Sequence, residues 1–184
     1  MAFDPRRPVT PSAPERQLVL FGVGNVVYGL PIEPVRAVVN PQPIIELPHA
    51  PSAVIGVADH RGEVVPVIDL RARFGLPALD DAEALRRVKW IMVDVGPAVA
   101  TAKAGARLVA AVVDHVLNVY QTREPLRPPP PLGGGADSRG ILGVVSRGAG
   151  RGEQGLVFVL DLERLRALTE PMGDFGAGGG GGGA

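Results

Sequence analysis

Short runs of Val, Ile and Leu, broken about every ten residues by turn-forming residues, most constrain the fold of this chain, because such spacing is typical of an all-β barrel or sandwich. Two of the runs flank Gly24-Asn25, a pair that suits the positive φ angles of a tight hairpin turn. We therefore expect residues 17–23 and 26–32 to form two antiparallel strands. The other strand-like runs are Glu63–Ile68, Arg87–Val95, Arg107–Val113, Gly140–Val145 and Gly155–Leu160. The pattern predicts seven or more strands and little helix.

The composition agrees with this fold class. Hydrophobic residues make up 46% of the 184 residues but aromatic residues only 4%, so Val, Leu, Ile and Ala must fill the core. Val and Ile favour strands because their branched side chains pack well on a pleated surface. Pro66 lies inside one predicted strand and cannot donate a hydrogen bond to a neighbouring strand. We expect that strand at a sheet edge or at a bulge.

Capping residues predict two short helices. Asp69 can accept hydrogen bonds from the free N–H groups of a turn over Leu70–Phe74, which Gly75 would end. Asp161 can cap a helix over Leu162–Leu168, where leucines recur at helical spacing. The second helix is expected to end the ordered part of the chain.

Loops and flexible ends occupy the remaining segments. Residues 1–16 carry four prolines and few large apolar groups, so they cannot bury enough surface to offset the entropy lost on ordering. Residues 170–184 are rich in glycine. We expect both segments to be disordered, with one domain over residues 17–169 between them. Long loops are expected at Pro77–Arg86, Gly96–Ala106 and Pro128–Arg139.

Charge and residue usage argue against several classes of protein. The 19 acidic and 19 basic side chains balance, and no dense cationic run is available for the phosphates of a nucleic acid. The absence of cysteine excludes disulfides, thiolate catalysis and sulfur-ligated metals. No apolar run approaches the roughly 18 residues that span a bilayer, and the first residues lack the apolar segment of a signal peptide. A cytoplasmic protein is expected.

Three aspartates follow strand-like runs and are the residues that best support an enzyme. Asp69, Asp114 and Asp161 occupy a position that faces a crevice in parallel α/β sheets. A phosphoacceptor site, however, needs companion acids for Mg²⁺ and alternating strands and helices. The chain has too few helices for that arrangement, and helix capping explains Asp69 and Asp161 better. A phosphoryl-transfer enzyme that depends on aspartate and Mg²⁺ is therefore the least favoured hypothesis.

No other motif predicts a metal, a cofactor or a catalytic residue. His49, His60 and His115 are too widely separated for a local metal site and are expected on the surface or in turns. The glycines near Gly22 and Gly24 continue into a strand instead of a helix and lack the third glycine of a dinucleotide fingerprint. We expect no cofactor and no catalysis. Binding through the surface is the hypothesis that remains.

The order of the motifs resembles the CheW-like domain over residues 17–168. The matching pieces are LVLFGVGNVVYGLPIEPVRAVV, IIELPHAPSAVIGVADHRGEVVPVIDLRARFG, LVAAVVDHVLNV, PLRPPPPL, ILGVV and LVFVLDLERL. Each piece alone occurs in many barrels, whereas their order and spacing together are specific. The resemblance implies an all-β fold of two small SH3-like barrels of five strands each, packed around a shared apolar seam, with a short C-terminal helix.

The resemblance also implies an adaptor. Domains of this family link the cytoplasmic tips of methyl-accepting chemotaxis receptors to the regulatory domain of a CheA-type histidine kinase, in arrays at the membrane. A CheW-like scaffold of a non-flagellar chemosensory pathway, for gliding, pili or development, is the alternative, and the residues do not separate the two. Neither role involves nucleic acid or direct insertion into the membrane.

The partner contacts of the family can be carried to this chain by position. The receptor-facing strand of the family matches Val35-Arg36-Ala37-Val38, and its turn arginine matches Arg61. The implied receptor contacts are Ile32, Val35, Arg36, Ala37, Val38 and Arg61. The apolar members suit an amphipathic helix, and the planar guanidinium of Arg61 suits carboxylates or carbonyls. Equally, Ile32, Val35 and Val38 suit the core, and Arg61 suits a role in holding its turn.

Two departures from the family pattern bear on the partners. Many relatives have a glutamate at the position of Ala37 and an Asn-Leu pair at the position of Asp59-His60, so the receptor choice or affinity is expected to differ. The kinase contacts of the family match Arg127 and Leu132, which bracket a run of four prolines.

Overall fold

A computed structural model of the protein describes residues 14–96, 107–129, 140–148 and 155–169. The strands are β1 (Arg16–Val23), β2 (Val26–Pro31), β3 (Val35–Val39), β4 (Val54–His60), β5 (Glu63–Asp69), β6 (Lys89–Asp94), β7 (Leu108–Val113), β8 (His115–Thr122), β9 (Ile141–Arg147) and β10 (Gly155–Leu160). The helices within these ranges are α1 (Leu70–Arg73), α2 (Ala82–Arg87) and α3 (Leu162–Thr169). β1 begins at the last residue of the predicted arm. The rest of that arm up to residue 13, the predicted tail and most of two predicted loops lie outside the described residues.

The strands form two sheets of five. The terminal sheet contains strands from both ends of the domain, in the order β8-β1-β2-β10-β9, and the central sheet has the order β3-β6-β7-β5-β4. The predicted first hairpin is confirmed, since β1 and β2 pair antiparallel and Gly24 in their turn has a φ of 60°. Each sheet also contains one parallel pair, β2 with β10 and β5 with β7. The expected all-β fold with two five-stranded units and a short C-terminal helix is confirmed.

In each sheet, an isolated β-bridge joins the segment that follows one edge strand to the other edge strand. Ile45, which follows β3, exchanges backbone hydrogen bonds of 2.8 and 2.9 Å with Val57 of β4. Arg127, which follows β8, exchanges bonds of 2.9 and 2.8 Å with Val144 of β9. The segment after one edge strand thus reaches the other edge strand, as in a small barrel.

Alternating side chains of the inner strands pack into different cores. On β1, Phe21 belongs to a cluster that both sheets share, whereas Leu20 belongs to a cluster of the terminal sheet alone. On β6, Ile91 belongs to the shared cluster and Met92 to a cluster of the central sheet alone. These strands are buried on both faces because successive side chains point to opposite sides of a sheet. Each such Leu, Ile or Phe contributes about 1.5–3 kcal/mol when fully buried.

The position of Pro66 differs from the prediction. Its strand β5 lies between β4 and β7 and is not an edge strand. Pro66 stands opposite Val57, whose own N–H and C=O bond to Ile45 on the other side, so this pair needs no hydrogen bond between β4 and β5. Pairing of β5 with β7 begins at Val67, one residue later. Neither neighbouring strand therefore requires the N–H that proline lacks.

Local capping was predicted well, and three elements were not. Asp69 accepts hydrogen bonds from the N–H groups of Arg71 and Ala72, at 2.7 and 3.3 Å, and Asp161 accepts one from Glu163 at 3.0 Å. Nothing in the sequence predicted β4, β8 or α2 as separate elements, and β3, which the run patterns also missed, was implied only by the family resemblance. Helix α2 lies in a segment expected to be a loop, and none of its residues is fully buried, so it lacks the apolar spacing that identifies a helix. No helix in the described ranges combines the length and hydropathy needed to cross a bilayer.

Candidate partner-binding surface

β3 is an edge strand of the central sheet and pairs on one side only, with β6. Its residues alternate: Val35, Ala37 and Val39 are half-buried, whereas Arg36 and Val38 are exposed. Val38 is a large apolar side chain and is 44% exposed. The register shifts between Val35 and Ala37, so Arg36 is the extra residue of a bulge. Arg36 and Val38 are the residues that this strand offers to a partner.

The other predicted receptor contacts on this side of the sheet are partly used in packing. Ile32 and Val35 pack against the shared cluster, and Ala37 packs against the cluster of the central sheet. Val38 belongs to neither cluster. The structure therefore divides the apolar residues among the predicted receptor contacts into three that support the fold and one, Val38, that faces outwards.

Asp94 orients the side chain of Arg36. The guanidinium lies 2.6 Å from a carboxylate oxygen of Asp94, and the two side chains are 54% and 13% exposed. The N–H of Asp94 donates to the carbonyl of Pro34 at 2.8 Å, and its second carboxylate oxygen accepts from the N–H of Gly96 at 3.0 Å. Because Arg36 is exposed, the ion pair contributes at most about 1 kcal/mol, so its main effect is to hold the cation beside β3.

Arg61 and Gly62 form the turn between β4 and β5. Both have positive φ angles, 58° and 85°, as a two-residue hairpin turn requires. Asp59 holds the turn by accepting a hydrogen bond of 2.8 Å from the N–H of Gly62. The left-handed conformation costs a residue such as arginine about 1–2 kcal/mol. No described residue binds the exposed guanidinium of Arg61, so the turn depends on Asp59 and Gly62 and leaves that side chain free for a partner.

His60 lies beside this turn and corrects the expectation that all three histidines are superficial. It is 8% exposed, and its Nδ1 has no hydrogen-bond partner among the described residues. His60 ends β4, on the face of the sheet that Ala58 buries in the central cluster. His49 is exposed in a turn, as expected, and His115 is half-buried at the start of β8.

Of the two predicted kinase contacts, the structure places one. Arg127 is exposed and forms the bridge to β9, and its guanidinium donates to the hydroxyl of Ser146. Leu126, next to it, packs on the cluster of the terminal sheet. Leu132 lies outside the described residues.

Edge strand β8 carries two exposed apolar residues that sequence reasoning missed. Leu117 and Val119 are 43% and 50% exposed. The predicted run stopped at Val113, and the signal that would have found them is Asp114, which comes directly after β7 and breaks the chain before a second run of strand-forming residues. With that break in place, residues 115–122 form a strand of their own, and the alternation of its side chains can be followed.

The three aspartates that supported an enzyme all make local structural contacts. Asp69 and Asp161 cap helices. Asp114 lies 2.5 Å from Arg71 and accepts a hydrogen bond of 2.7 Å from the N–H of Gly24. Within the described ranges, no group of three acidic or histidine side chains is placed to hold a metal ion. The geometry of these carboxylates supports capping and ion pairing and gives the phosphoryl-transfer hypothesis no support.

The fold of two linked five-stranded units leaves its edge strands exposed to a partner, and comparison with known proteins defines its class. Residues 17–169 match the CheW-like domain, so the chain belongs to this family of adaptors and scaffolds. It is similar to Protein FrzA of Myxococcus xanthus, with 33% identity over 154 residues that cover 83% of this chain and 86% of the relative. It is also similar to the probable chemotaxis protein CheW of Rhizobium etli, with 28% identity over 160 residues that cover 85% and 90% of the two chains. The crystal structure of the scaffolding protein TtCheW from Thermoanaerobacter tengcongensis has the same fold, with a TM-score of 0.63 and 23% identity over 88% of this chain and 91% of that one.

Proposed function

We propose that this chain is a chemosensory adaptor without catalysis of its own, which binds the cytoplasmic tip of a chemoreceptor and a CheA-type histidine kinase. The observation that carries the proposal is Arg61. This arginine occupies a conformation that costs about 1–2 kcal/mol, its turn is held by other residues, and its guanidinium binds no other residue that the structure describes. Backbone strain of this kind is concentrated at functional sites. Membership of the CheW-like family of adaptors and scaffolds supports a partner-binding role for such a residue.

The receptor surface consists of edge strand β3 and the β4–β5 turn. Val38 supplies apolar contact, and Arg36 and Arg61 supply two cations. An amphipathic helix that presents apolar residues beside carboxylates fits this combination. Because the charges are exposed, binding should weaken as the salt concentration rises. The receptor would also recruit the protein to arrays at the membrane.

The kinase surface lies on the terminal sheet near Arg127, with Leu132 beyond the proline run. The bridge to Val144 fixes the backbone of Arg127 at the edge of β9. Receptor and kinase then bind different sheets of one domain. This separation lets the protein hold both partners at once, as an adaptor must.

Replacing Arg61 tests the proposal most directly. Arg61→Glu reverses the free cation and should lower the affinity for a receptor-tip fragment at least about tenfold, or about 1.4 kcal/mol, while the affinity for the kinase regulatory domain stays unchanged. Arg61→Asn should weaken receptor binding similarly and raise the free energy of unfolding by about 0.5–1 kcal/mol, since Asn tolerates the left-handed conformation. Titration calorimetry and denaturant unfolding measure the two effects.

Arg86→Glu is the matched control, because it reverses an exposed arginine on α2 that is not one of the proposed receptor contacts. It should leave receptor binding unchanged. If Arg61→Glu bound the receptor-tip fragment with the native affinity, Arg61 would not be part of the receptor surface.

A second candidate is the same adaptor role in a non-flagellar chemosensory pathway. The observation that favours it is that the Myxococcus xanthus relative, with 33% identity, is named Protein FrzA, whereas the Rhizobium etli relative, which is named for chemotaxis, has 28% identity. Pull-downs against receptor and kinase fragments from each chemosensory gene cluster of the source genome would separate the two. Capture of the flagellar pair alone would exclude this candidate.

A further inference from the structure

The chain crosses between the two sheets at Asp114. This residue lies between β7 of the central sheet and β8 of the terminal sheet. Its N–H donates to the carbonyl of Gly22 on β1 at 3.0 Å. Its carboxylate oxygen Oδ2 accepts hydrogen bonds from the N–H of Gly24, in the β1–β2 turn, at 2.7 Å and from the guanidinium of Arg71, on α1, at 2.5 Å. A single carboxylate therefore ties a hairpin of the terminal sheet to the helix that follows β5 of the central sheet.

The ion pair of Arg71 and Asp114 is shielded on both sides. The two side chains are 14% and 13% exposed, whereas the other ion pairs in the described ranges each include a side chain that is at least 54% exposed. A second hydrogen bond fixes the side chain of Arg71, because its Nε donates to the carbonyl of Pro77 at 2.7 Å. Shielded pairs with satisfied donors keep a defined geometry, which exposed pairs do not.

The remaining contacts between the sheets are mostly apolar. Side chains of both sheets meet in the shared cluster, and a small cavity separates α1 from α3, lined by Leu70 and Phe74 on one side and Leu160 and Leu165 on the other. Apolar contacts are non-directional, and packed layers can slide past one another by small shear movements. Arg107, just before β7, also donates to the carbonyl of Thr169, at the end of α3, at 2.6 Å. The bonds of Asp114, however, stand at the crossing itself and join a hairpin of one sheet to a helix of the other, so they are the directional contacts best placed to set the angle between the sheets.

We propose that Arg71 and Asp114 are positioning residues that couple the two partner surfaces. They fix the orientation of the terminal sheet relative to the central sheet, so that binding of a partner to one sheet changes the affinity of the other sheet for its own partner. This inference rests on the proposed function, in which receptor and kinase bind different sheets.

The test is a coupling measurement on the full chain. Asp114→Asn keeps the shape and an oxygen for the N–H of Gly24 but removes the charge that holds Arg71, and Arg71→Met keeps an apolar stem and removes the guanidinium. The affinity for a receptor-tip fragment is measured with and without a saturating kinase regulatory fragment. We expect the ratio of the two affinities to be about fivefold or more in the native chain and to fall towards one in both variants, while the affinity for each single partner changes little.

The control is Glu163→Gln, which removes the ion pair with Arg166 inside α3, where the side chain of Glu163 is 64% exposed. Its coupling ratio should equal that of the native chain. Coupling that is absent from the native chain, or unchanged in Asp114→Asn, would overturn the inference while leaving the adaptor function intact. If the native chain bound neither fragment, the proposed function itself would fall.

A second readout needs no partner. Because the chain has no cysteine, two spin labels can be attached at engineered cysteines replacing Leu85 on α2 and Leu156 on β10, which are 51% and 47% exposed. The native chain should give one narrow distribution of distances between the labels, and Asp114→Asn a broader or shifted one. Identical distributions in the two proteins would refute a positioning role. A circular-dichroism spectrum of each labelled sample checks that the protein is folded.

Discussion

The terminal and central sheets repeat one arrangement of elements. In each sheet an edge strand leads to a bridging residue, Ile45 after β3 and Arg127 after β8. A hairpin follows, then a helix capped by aspartate, Asp69 before α1 and Asp161 before α3. The second hairpin of the unit is β6–β7 in the central sheet and β1–β2 in the terminal sheet. The domain thus contains two copies of one barrel, and the second copy takes its last hairpin from the start of the chain.

The repeat extends to single positions. Val38 stands opposite Ile91 in the central sheet, and Val119 stands opposite Val19 in the terminal sheet. These two valines are 44% and 50% exposed, and both opposing residues belong to the shared cluster. The exposed residue two places before each valine differs, however: it is Arg36 on β3 and Leu117 on β8. Equivalent backbones therefore present a charged surface on one sheet and an uncharged one on the other, which suits two different partners.

The two crossings between the sheets also differ. The crossing at Asp114 is held by the ion pair with Arg71 and by the turn at Gly24. The crossing over residues 32–34 is held by backbone hydrogen bonds, from Val35 to Ile32 at 3.0 Å and from Asp94 to Pro34 at 2.8 Å. This difference between the crossings indicates that the repeated elements determine the fold, while single side chains at the crossings adjust the orientation of the two copies.

The largest expected effect concerns the glycines that precede the two bridge partners. A Cβ at Gly56 would lie 2.3 Å from the carbonyl oxygen of Ile45, and Gly56 has a φ of 147°, so Gly56→Ala should lower the free energy of unfolding by about 3 kcal/mol. A Cβ at Gly143 would lie 2.6 Å from the side chain of Leu126 and 2.8 Å from a backbone oxygen, so Gly143→Ala should cost less, about 1–2 kcal/mol. Denaturant unfolding measures both.

Gly155→Ala is the control for this pair, because no atom of the described residues lies within 4 Å of a Cβ at that position. It should change the free energy of unfolding by less than about 0.5 kcal/mol. Equal costs for Gly56→Ala and Gly143→Ala would show that the two bridges are equivalent in energy as well as in topology.

The next effect compares the two crossings. Asp114→Asn should lower the free energy of unfolding by about 2 kcal/mol, because it leaves the shielded guanidinium of Arg71 without its charged partner. Glu33→Gln removes a carboxylate from the other crossing, where it is exposed, and should change stability by less than about 0.5 kcal/mol. Similar losses in the two variants would contradict the asymmetry described above.

The smallest expected effect separates the two exposed valines. Val38→Asp places a carboxylate on the proposed receptor surface and should lower the affinity for a receptor-tip fragment about tenfold, equivalent to about 1.4 kcal/mol. Val119→Asp makes the same change at the equivalent position of the terminal sheet and should leave that affinity nearly unchanged. Titration calorimetry on both variants measures the difference, and a matching loss in Val119→Asp would place β8 in the receptor surface too.

Sequence reasoning predicted the features that depend on neighbouring residues. The turn at Gly24 and the caps at Asp69 and Asp161 follow from residue types a few positions apart, and the structure confirms all three. The same reasoning placed the strand of Pro66 at an edge or a bulge and His60 on the surface or in a turn, whereas that strand is not an edge strand and His60 is buried at the end of β4. Whether a strand is central or a side chain is buried depends on which other strands pair with it, and that information is not local.

The candidate site shows the same division. The resemblance to the CheW-like domain singled out Arg61 and the strand containing Val38, but it did not separate exposed from packed residues on that strand. The sequence alone sufficed for the class of fold, the first hairpin and the helix caps, because each depends on hydrogen bonds or turns spanning a few residues. The exposure of Val38 and the partners of Asp114 required the tertiary structure, since Asp114 bonds to residues 43 and 90 positions away. Contacts at such separations form only when the sheets assemble, and no short pattern in the chain encodes them.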